Sequence, residues 1–386
     1  MSEAGAARSE RADVVVIGGG LAGLATAAFL AEGGVEVLLL EARSALFDGA
    51  SGRGAGLVTA GLIDAPHRLV GGLGEAQTAE VLRFSQENAA LLDAAGVLDR
   101  TGVVHAAIGE RESAVMAESV AVAERLGLPC ELWEAARVNE ALGGSGFGPG
   151  RFVPGDGHLD AAALRERLTA RAVAAGARIE TGSRVSGVSD AGEVQVVGSA
   201  GERVVASEMV VIAAGAGAAA AAPWFGDKVY PVRGQLIEVL AERGAAGWSI
   251  GWRAQMGYLY GGSSAAGGLL LGGARWATPH LEVGETDDTR ISEAVDEKLR
   301  GVLARRFPRL VRAPGPDRRA GIMAFTCDGL PFVGGIPGQP RMLACLGFNA
   351  RGFSLALRAA RAVADAVLTG EAEGLPDCLR PGRMAV

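Results

Sequence analysis

Three glycines and one carboxylate stand at the spacing that holds a dinucleotide. Gly18, Gly20 and Gly23 form G-x-G-x-x-G, and Glu41 follows about 20 positions on. Gly18 permits a tight turn, and Gly20 lets the backbone approach a pyrophosphate with no Cβ in the way. Gly23 lets a helix pack closely on a strand. The N–H groups of Leu21 and Ala22 open that helix and turn its positive end toward a diphosphate. Glu41, with Ala42 and Arg43 beside it, offers acceptors to both ribose hydroxyls, and its charge disfavours a 2′-phosphate. At this point NAD and FAD are both open.

The elements that must position these residues surround them. Residues 13–17 (DVVVI) and 35–40 (VEVLLL) are continuous apolar runs, the pattern of strands buried on both faces. Residues 21–31 between them carry apolar side chains at helical spacing. A second Gly-rich stretch, 215–220 (GAGAAA), follows the apolar run 209–213, but no strand ending in an acid follows it, and Pro223 cuts its helix short. It reads as a strand-to-loop turn in the same domain, with Ala214 and Gly215 on the border of the single nucleotide site. Residues 160–175 predict an amphipathic helix capped by Asp160 and stopped by Gly176. Short strands are expected at 177–181, 184–188, 194–198 and 203–213, with Val185 against the cofactor. From Val229 the pattern becomes strands with Gly turns (VYPVRGQLIEVL, MGYLYGG, GGLLLGGARW), a separate antiparallel sheet. Helices return at 291–307 and 353–369.

The expected fold is therefore α/β (α+β overall), a discontinuous Rossmann-like nucleotide-binding domain with an inserted, mostly antiparallel substrate domain. Residues 11–80, 151–228 and 317–372 form the first, 81–150 and 229–316 the second, and 1–10 and 373–386 are read as tails. A chain of 386 residues fits two domains.

Composition narrows the function. The net charge is −7 with no basic run, which argues against nucleic acid. Cys130, Cys327, Cys345 and Cys378 are scattered without metal-like spacing, so no metal is expected and a reducing cytoplasm is. The polar start (MSEAGAARSERA) has no apolar signal core and is expected to fray. The longest uncharged stretch, 209–225, is Ala/Gly-rich and too weakly apolar to span a membrane.

Further segments carry a resemblance. Residues 49–56 (GASGRGAG), 153–160 (VPGDGHLD), 231–235 (PVRGQ), 328–334 (DGLPFVG) and 347–352 (GFNARG) follow the nucleotide motif in order. Together they resemble the D-amino-acid, glycine and sarcosine oxidase group of FAD enzymes over nearly the whole chain. The resemblance makes FAD the cofactor and implies contacts from Ser51, Arg53, Gly54, Ala55 and Gly56, and from Gly347, Asn349, Ala350, Arg351 and Gly352. A Gly-x-x-x-Arg-Gly turn opening a helix would also set N–H groups beside the flavin edge where negative charge collects on reduction. An isolated Arg is more often an ion-pair partner. The Gly-rich surroundings of Arg53 and Arg351 favour the cofactor role.

The resemblance implies oxidation of a C–N bond in an amine or amino acid, with hydride passing to flavin N5 and an imine that hydrolyses. O2 or another acceptor would take the electrons. Tyr258 and Tyr260, on the same strand face by period-two alternation, and Arg275 are expected around the substrate, with Arg351 at the flavin. Sheet packing is the alternative role for the aromatics. His67, His105, His158 and His280 read as structural or surface residues.

Three departures stand out. Met323 replaces the carboxylate-clamping Arg of glycine and D-amino-acid oxidases. Either Arg275 takes that role or the substrate is an amine or larger amino compound, as the GFNARG turn, similar to the γ-glutamylputrescine oxidase branch, favours. Leu270 stands where sarcosine oxidase has an O2-activating lysine. Cys327 lies six residues beyond the flavin-attaching position on that segment, so FAD is expected to be non-covalent. Alternatives are a 2-hydroxy-acid or polyol dehydrogenase, which would need a His base, and a non-catalytic flavin-binding interaction protein.

Overall fold

The computed structural model describes residues 10–199, 201–240, 250–264, 267–310 and 317–384. The apolar runs of the nucleotide motif build the centre of one eight-stranded sheet. Glu10–Ile17 lies between Gly201–Ile212 and Val37–Leu40, parallel to both, and Arg178–Glu180 continues beyond Val37–Leu40. Gln339–Leu346 pairs parallel to Gly201–Ile212 and carries Phe332–Ile336 on its far side. Glu193–Gly198 and Arg184–Val188 complete the sheet as an antiparallel ribbon.

Alternation explains the continuous hydrophobicity of the central strands. Val14, Val16, Val37 and Leu39 face the helices Leu21–Glu32, Ala161–Ala174 and Gly352–Thr369. Val15, Ile17, Leu38 and Leu40 face a second apolar cluster with Val210 and Ile212. Every residue of Leu21–Glu32 except Glu32 is buried, which suits a helix that is apolar all round. Asp160 accepts a hydrogen bond from the Ala163 N–H at 2.9 Å and caps Ala161–Ala174 as expected.

A second eight-stranded sheet runs Asp317–Thr326, Val229–Val239, Leu269–Gly273, Leu259–Ser263, Gly251–Ala254, Val103–Ala106, Gly150–Val153 and Glu131–Trp133. All its pairs are antiparallel except Gly251–Ala254 with Val103–Ala106. One face packs Ile237, Leu271, Leu259, Trp252 and Val104 against Val295 and Leu299 of the helix Glu293–Arg306. The other face is left for the site.

Several segments differ from the expected division. Asp317–Thr326 and all but the first residue of Gly150–Val153, expected with the nucleotide-binding segments, join the second sheet, the former in unbroken register from Val229↔Thr326 to Glu238↔Asp317. The boundary at residue 80 falls inside the helix Pro66–Ala94. Residues 10–12 extend the first strand, pairing with Val205, Ala206 and Ser207, and the rest of the expected N-terminal tail lies outside the described residues. Residues 373–384 are no loose tail. Leu375, Cys378 and Leu379 are buried, and Arg383 pairs with Asp328 at 2.6 Å while donating to the carbonyls of Leu330 and Pro331.

Close approach governs the helix on the nucleotide strand. A Cβ added at Gly23 would come within 1.9 Å of the Gly18 carbonyl oxygen. Overpacking of this kind costs about 1–3 kcal/mol. Gly23→Ala is expected to destabilise the protein by that amount, read as a lower urea midpoint with unchanged m-value. An unchanged midpoint would show that the helix can step back from its strand.

Candidate active site

A cavity of about 650 Å³ runs from the nucleotide motif to the free face of the second sheet. Its size falls within the roughly 300–1,000 Å³ common for small-molecule and cofactor sites. Gly18, Gly20, Leu21, Ala22, Glu41, Ala42 and Arg43 line one end. Ser51, Arg53, Gly54, Ala55, Ala214 and Gly215 line its middle, with Gly347, Asn349, Ala350, Arg351 and Gly352. Tyr258, Tyr260, Arg275 and Met323 line the sheet end.

At the nucleotide end the chain holds its own turn. Glu41 accepts hydrogen bonds from the N–H groups of Gly19 at 2.5 Å and Arg43 at 2.7 Å, and its oxygens keep acceptor capacity toward the cavity. Ser51 Oγ accepts from the Leu21 N–H at 3.0 Å. Gly20 precedes the helix with no side-chain cap, and no acidic residue lies in the first turn, so the positive end is open to an anion. Open N–H groups, glycine surfaces and one carboxylate are the donors and acceptors that an ADP moiety needs. They fit FAD.

Gly23, Gly56 and Val185 do not border the cavity. Gly23 serves the helix–strand contact described above. Gly56, at φ 73°, has Leu159 so close that a Cβ would lie 2.7 Å from its carbonyl oxygen. Val185 turns into the apolar core while its neighbour Arg184 reaches the cavity, a one-residue consequence of strand alternation.

The two loop arginines have different occupations. Arg53 donates to the Asp48 carbonyl at 2.9 Å and pairs with Asp48 at 3.2 Å and Asp288 at 3.6 Å. Arg43 pairs with the same Asp288 at 2.7 Å, so both cations tie the loop to a distant acid. Arg351 is buried and donates to the Thr59 hydroxyl and the Leu62 carbonyl. Asn349 stands in the left-handed region (φ 49°), followed by Ala350 (φ 63°). Its amide secures the turn, accepting from the Thr326 N–H at 2.8 Å and donating to the Gly347 carbonyl at 2.7 Å. Two non-glycine residues held there in succession are strain stored at a site. The turn empties into the cavity at the start of Gly352–Thr369, a second open helix N-terminus.

At the sheet end Arg275 lies between two rings, 5.2 Å from Tyr258 and 5.0 Å from Phe325, and donates to the Leu281 carbonyl at 3.1 Å. Burial lowers its pKa. Tyr258 packs edge-on against Trp276 at 6.1 Å. Met323 lies across Gly234, where a Cβ would meet its Cε at 2.8 Å. Sequence reasoning missed Arg253, Thr59, Gln235 and Arg184, all of which line the cavity. Only the alternation opposite the buried Trp252 could have flagged Arg253.

Behind the wall is a buried polar group. Asp156 accepts from the Ala60 N–H at 2.8 Å, and its second oxygen has no partner, with His105 Nε2 4.0 Å away. Arg151 is buried beside them and donates to Ser119 Oγ at 3.1 Å. Burial raises the Asp156 carboxyl to about 7 and holds the His105 imidazole well below its ordinary value. His158 is half-buried and His280 exposed. Among the described residues no group of His, Cys, Asp and Glu could hold a metal ion.

The folded protein binds a proton at Asp156 more tightly than the unfolded chain does. This carboxyl's contribution is therefore most favourable below its unfolded pKa and declines as pH rises from about 4 to about 7. Asp156→Asn, which keeps an acceptor for the Ala60 N–H, is expected to flatten that decline. Urea midpoints across the interval measure it, and identical slopes in both proteins would show that the carboxyl titrates normally.

Comparisons with known proteins agree with this geometry. The family model described as FAD dependent oxidoreductase (DAO) matches residues 13–366. The chain superposes on glycine oxidase from Geobacillus kaustophilus with a TM-score of 0.76 at 23% identity, covering 94% of this chain and 95% of that one. For L-proline dehydrogenase from P. horikoshii the TM-score is 0.79 at 19% identity, covering 97% and 98%. Among curated proteins it is 32% identical to the tRNA 5-methylaminomethyl-2-thiouridine biosynthesis bifunctional protein MnmC of Azoarcus sp. (strain BH72), over 96% of this chain and 59% of that protein. The chain thus spans little more than half the length of that relative. With its nucleotide motif and cavity inside the matched span, the chain belongs to the DAO family of FAD-dependent oxidoreductases.

Proposed function

We propose that the cavity holds FAD non-covalently and that a small amine or amino acid is oxidised at the free face of the second sheet. The observation that carries this reading is one continuous cavity joining Glu41 and the open start of Leu21–Glu32 to Tyr258, Tyr260, Arg275 and Met323. Bound FAD would supply the hydride acceptor. Cys345 is the cysteine that borders the cavity, and burial pushes its thiol up to about 12, which keeps it a poor nucleophile.

The lining sets the protonation state of the substrate. Glu41 is the one acidic side chain among the described lining residues, and it stands at the nucleotide end. Arg253, Arg275 and Arg351 surround the other end, and like charges disfavour an ammonium ion there. The cavity therefore favours the neutral amine, the form able to give up hydride, without a dedicated base. Tyr258 and the stacked Arg275 orient the substrate, while Met323 and Ile322 exclude water. A hydroxy acid would need a general base in reach. None of the four histidines lines the cavity, which favours C–N over C–O oxidation.

The electron acceptor is O2 or another oxidant. The buried Leu270, in place of an O2-activating lysine, favours the second. A small metabolite as substrate and the cytoplasm as its compartment fit the acidic composition and the free cysteines. No described helix is long and apolar enough to cross a membrane. RNA is disfavoured by the net charge of −7.

Anaerobic mixing of the flavin-loaded enzyme with a panel of amines, amino acids and hydroxy acids tests the reaction. Bleaching of the flavin by members of the first two groups is expected; bleaching by hydroxy acids alone would overturn the reading. Glu41→Ala removes a charged acceptor from the ribose site, an interaction of about 1.5–3 kcal/mol. A fall in FAD affinity of about tenfold to a hundredfold is expected in apoprotein titrations. Unaltered affinity would move the ADP half elsewhere.

A further inference from the structure

Among the described residues, the cavity wall carries a cation with no hydrogen-bond or ion-pair partner. Arg253 is 8% exposed and lines the cavity. Its guanidinium neither donates a hydrogen bond nor meets a carboxylate within ion-pair distance among the described residues. It lies against the backbone of Gly257, where a Cβ would come within 2.1 Å of Nη2.

Strand alternation put it there. Trp252 and Ala254 turn into the apolar core under Glu293–Arg306, which leaves Arg253 on the opposite face. It stands across from Tyr260 on one side and His105 on the other, and His105 stands across from Arg151. Arg351 reaches the same region from the start of its helix. Facing these three guanidiniums are the buried carboxyl of Asp156 and the half-exposed Asp64, which already pairs with Arg68 at 3.2 Å. Like charges in one sheet row repel, and a buried charge without a counter-charge is costly. The row is electrically incomplete, and its open donors face the end of the cavity that Met323 leaves without a fork.

We infer that Arg253 anchors an acid group on the substrate, a carboxylate carried by the amine and seated beside Tyr260. The fork of a guanidinium matches a carboxylate through two parallel N–H···O bonds. The substrate class is then an amino acid rather than a simple amine, and Arg275, stacked between two rings, is not the acid anchor. This deepens the proposed reaction and rests on it only for the identity of the molecule that brings the acid.

The test is a pair of ligands equal in shape, butanoate and butanamide. Each is titrated into the flavin-loaded enzyme and followed by calorimetry and by the flavin spectrum. The wild type is expected to prefer the acid by about tenfold or more. Arg253→Gln should bring the two affinities together, Arg253→Lys should keep part of the preference, and Arg275→Gln should retain it. Equal binding by the wild type would overturn the inference, as would an unchanged preference in the Arg253 variants. If Arg253→Gln does not fold, a ratio in Arg253→Lys equal to the wild type overturns it alone. A fall in FAD affinity with the acid preference intact would assign Arg253 to the cofactor and also defeat it. An enzyme that no amine reduces, yet whose acid preference depends on Arg253, would retire the C–N reading and leave the anion site standing.

Discussion

The contact between Gly23 and the Gly18 carbonyl fixes the rest of the site. Because no Cβ separates them, Leu21–Glu32 lies directly on the first strand and its N-terminus ends at the strand's carboxyl edge. That edge is where Glu41 also arrives, because Val37–Leu40 pairs in parallel register with the same strand. Gly201–Ile212 brings Ala213 and Ala214 to the same edge from the other side. Parallel pairing therefore gathers three loop ends in one place, as the general rule for such sheets requires. The last helix adds its own N-terminus through the Asn349–Ala350 turn. Two helix ends and one carboxylate therefore meet at one cavity because of how the central strands pair.

The second sheet works by alternation instead. Its apolar face is committed to Glu293–Arg306, so every second residue is forced toward the cavity whether or not a partner waits there. This explains how one strand can present the buried Trp252 and the cavity-lining Arg253 in adjacent positions. It also explains why Tyr260 fits. The ring occupies the space over Gly272, where a Cβ would lie 2.4 Å from it. A face of this kind can be re-equipped for a new substrate by changes at alternate positions, with the core side undisturbed.

The nucleotide half was legible because its signal is local. Gly18, Gly20, Gly23 and Glu41 lie within one strand–helix–strand segment, and spacing alone puts Gly18, Gly20 and Glu41 at the cavity and Gly23 against the strand. The substrate end was not, because its residues meet through pairings far apart in the chain, such as Trp252↔Val104 and Val103↔Val153. Arg53 shows the same limit from the other direction. Its Gly-rich setting suggested a flavin contact, and it does line the cavity, but beside the nearby Asp48 it is also tied to Asp288, 235 positions away. Val185 against Arg184 is a matter of phase. Period two is visible in a strand, but which of two neighbours faces the site depends on the partner strands. The C-terminal segment hid its packing because Arg383 is held mainly by backbone carbonyls and one acid 55 positions distant.

The buried polar group behind the wall connects these halves electrically. Asp156 follows the segment that pairs with Val103–Ala106, while Arg351 belongs to the turn that opens the last helix, yet each lies in the field of the other. A carboxyl near neutrality can hold or release its proton as the charge in the cavity changes. Negative charge arriving at Arg253 or beside Arg351 would draw on the same positive field that otherwise favours the ionised Asp156. Ligand binding and protonation at Asp156 are then linked, because both compete for one set of guanidiniums. A site built from three buried cations and one carboxyl is therefore tuned for anions, and what it lacks in a counter-charge the substrate is positioned to bring.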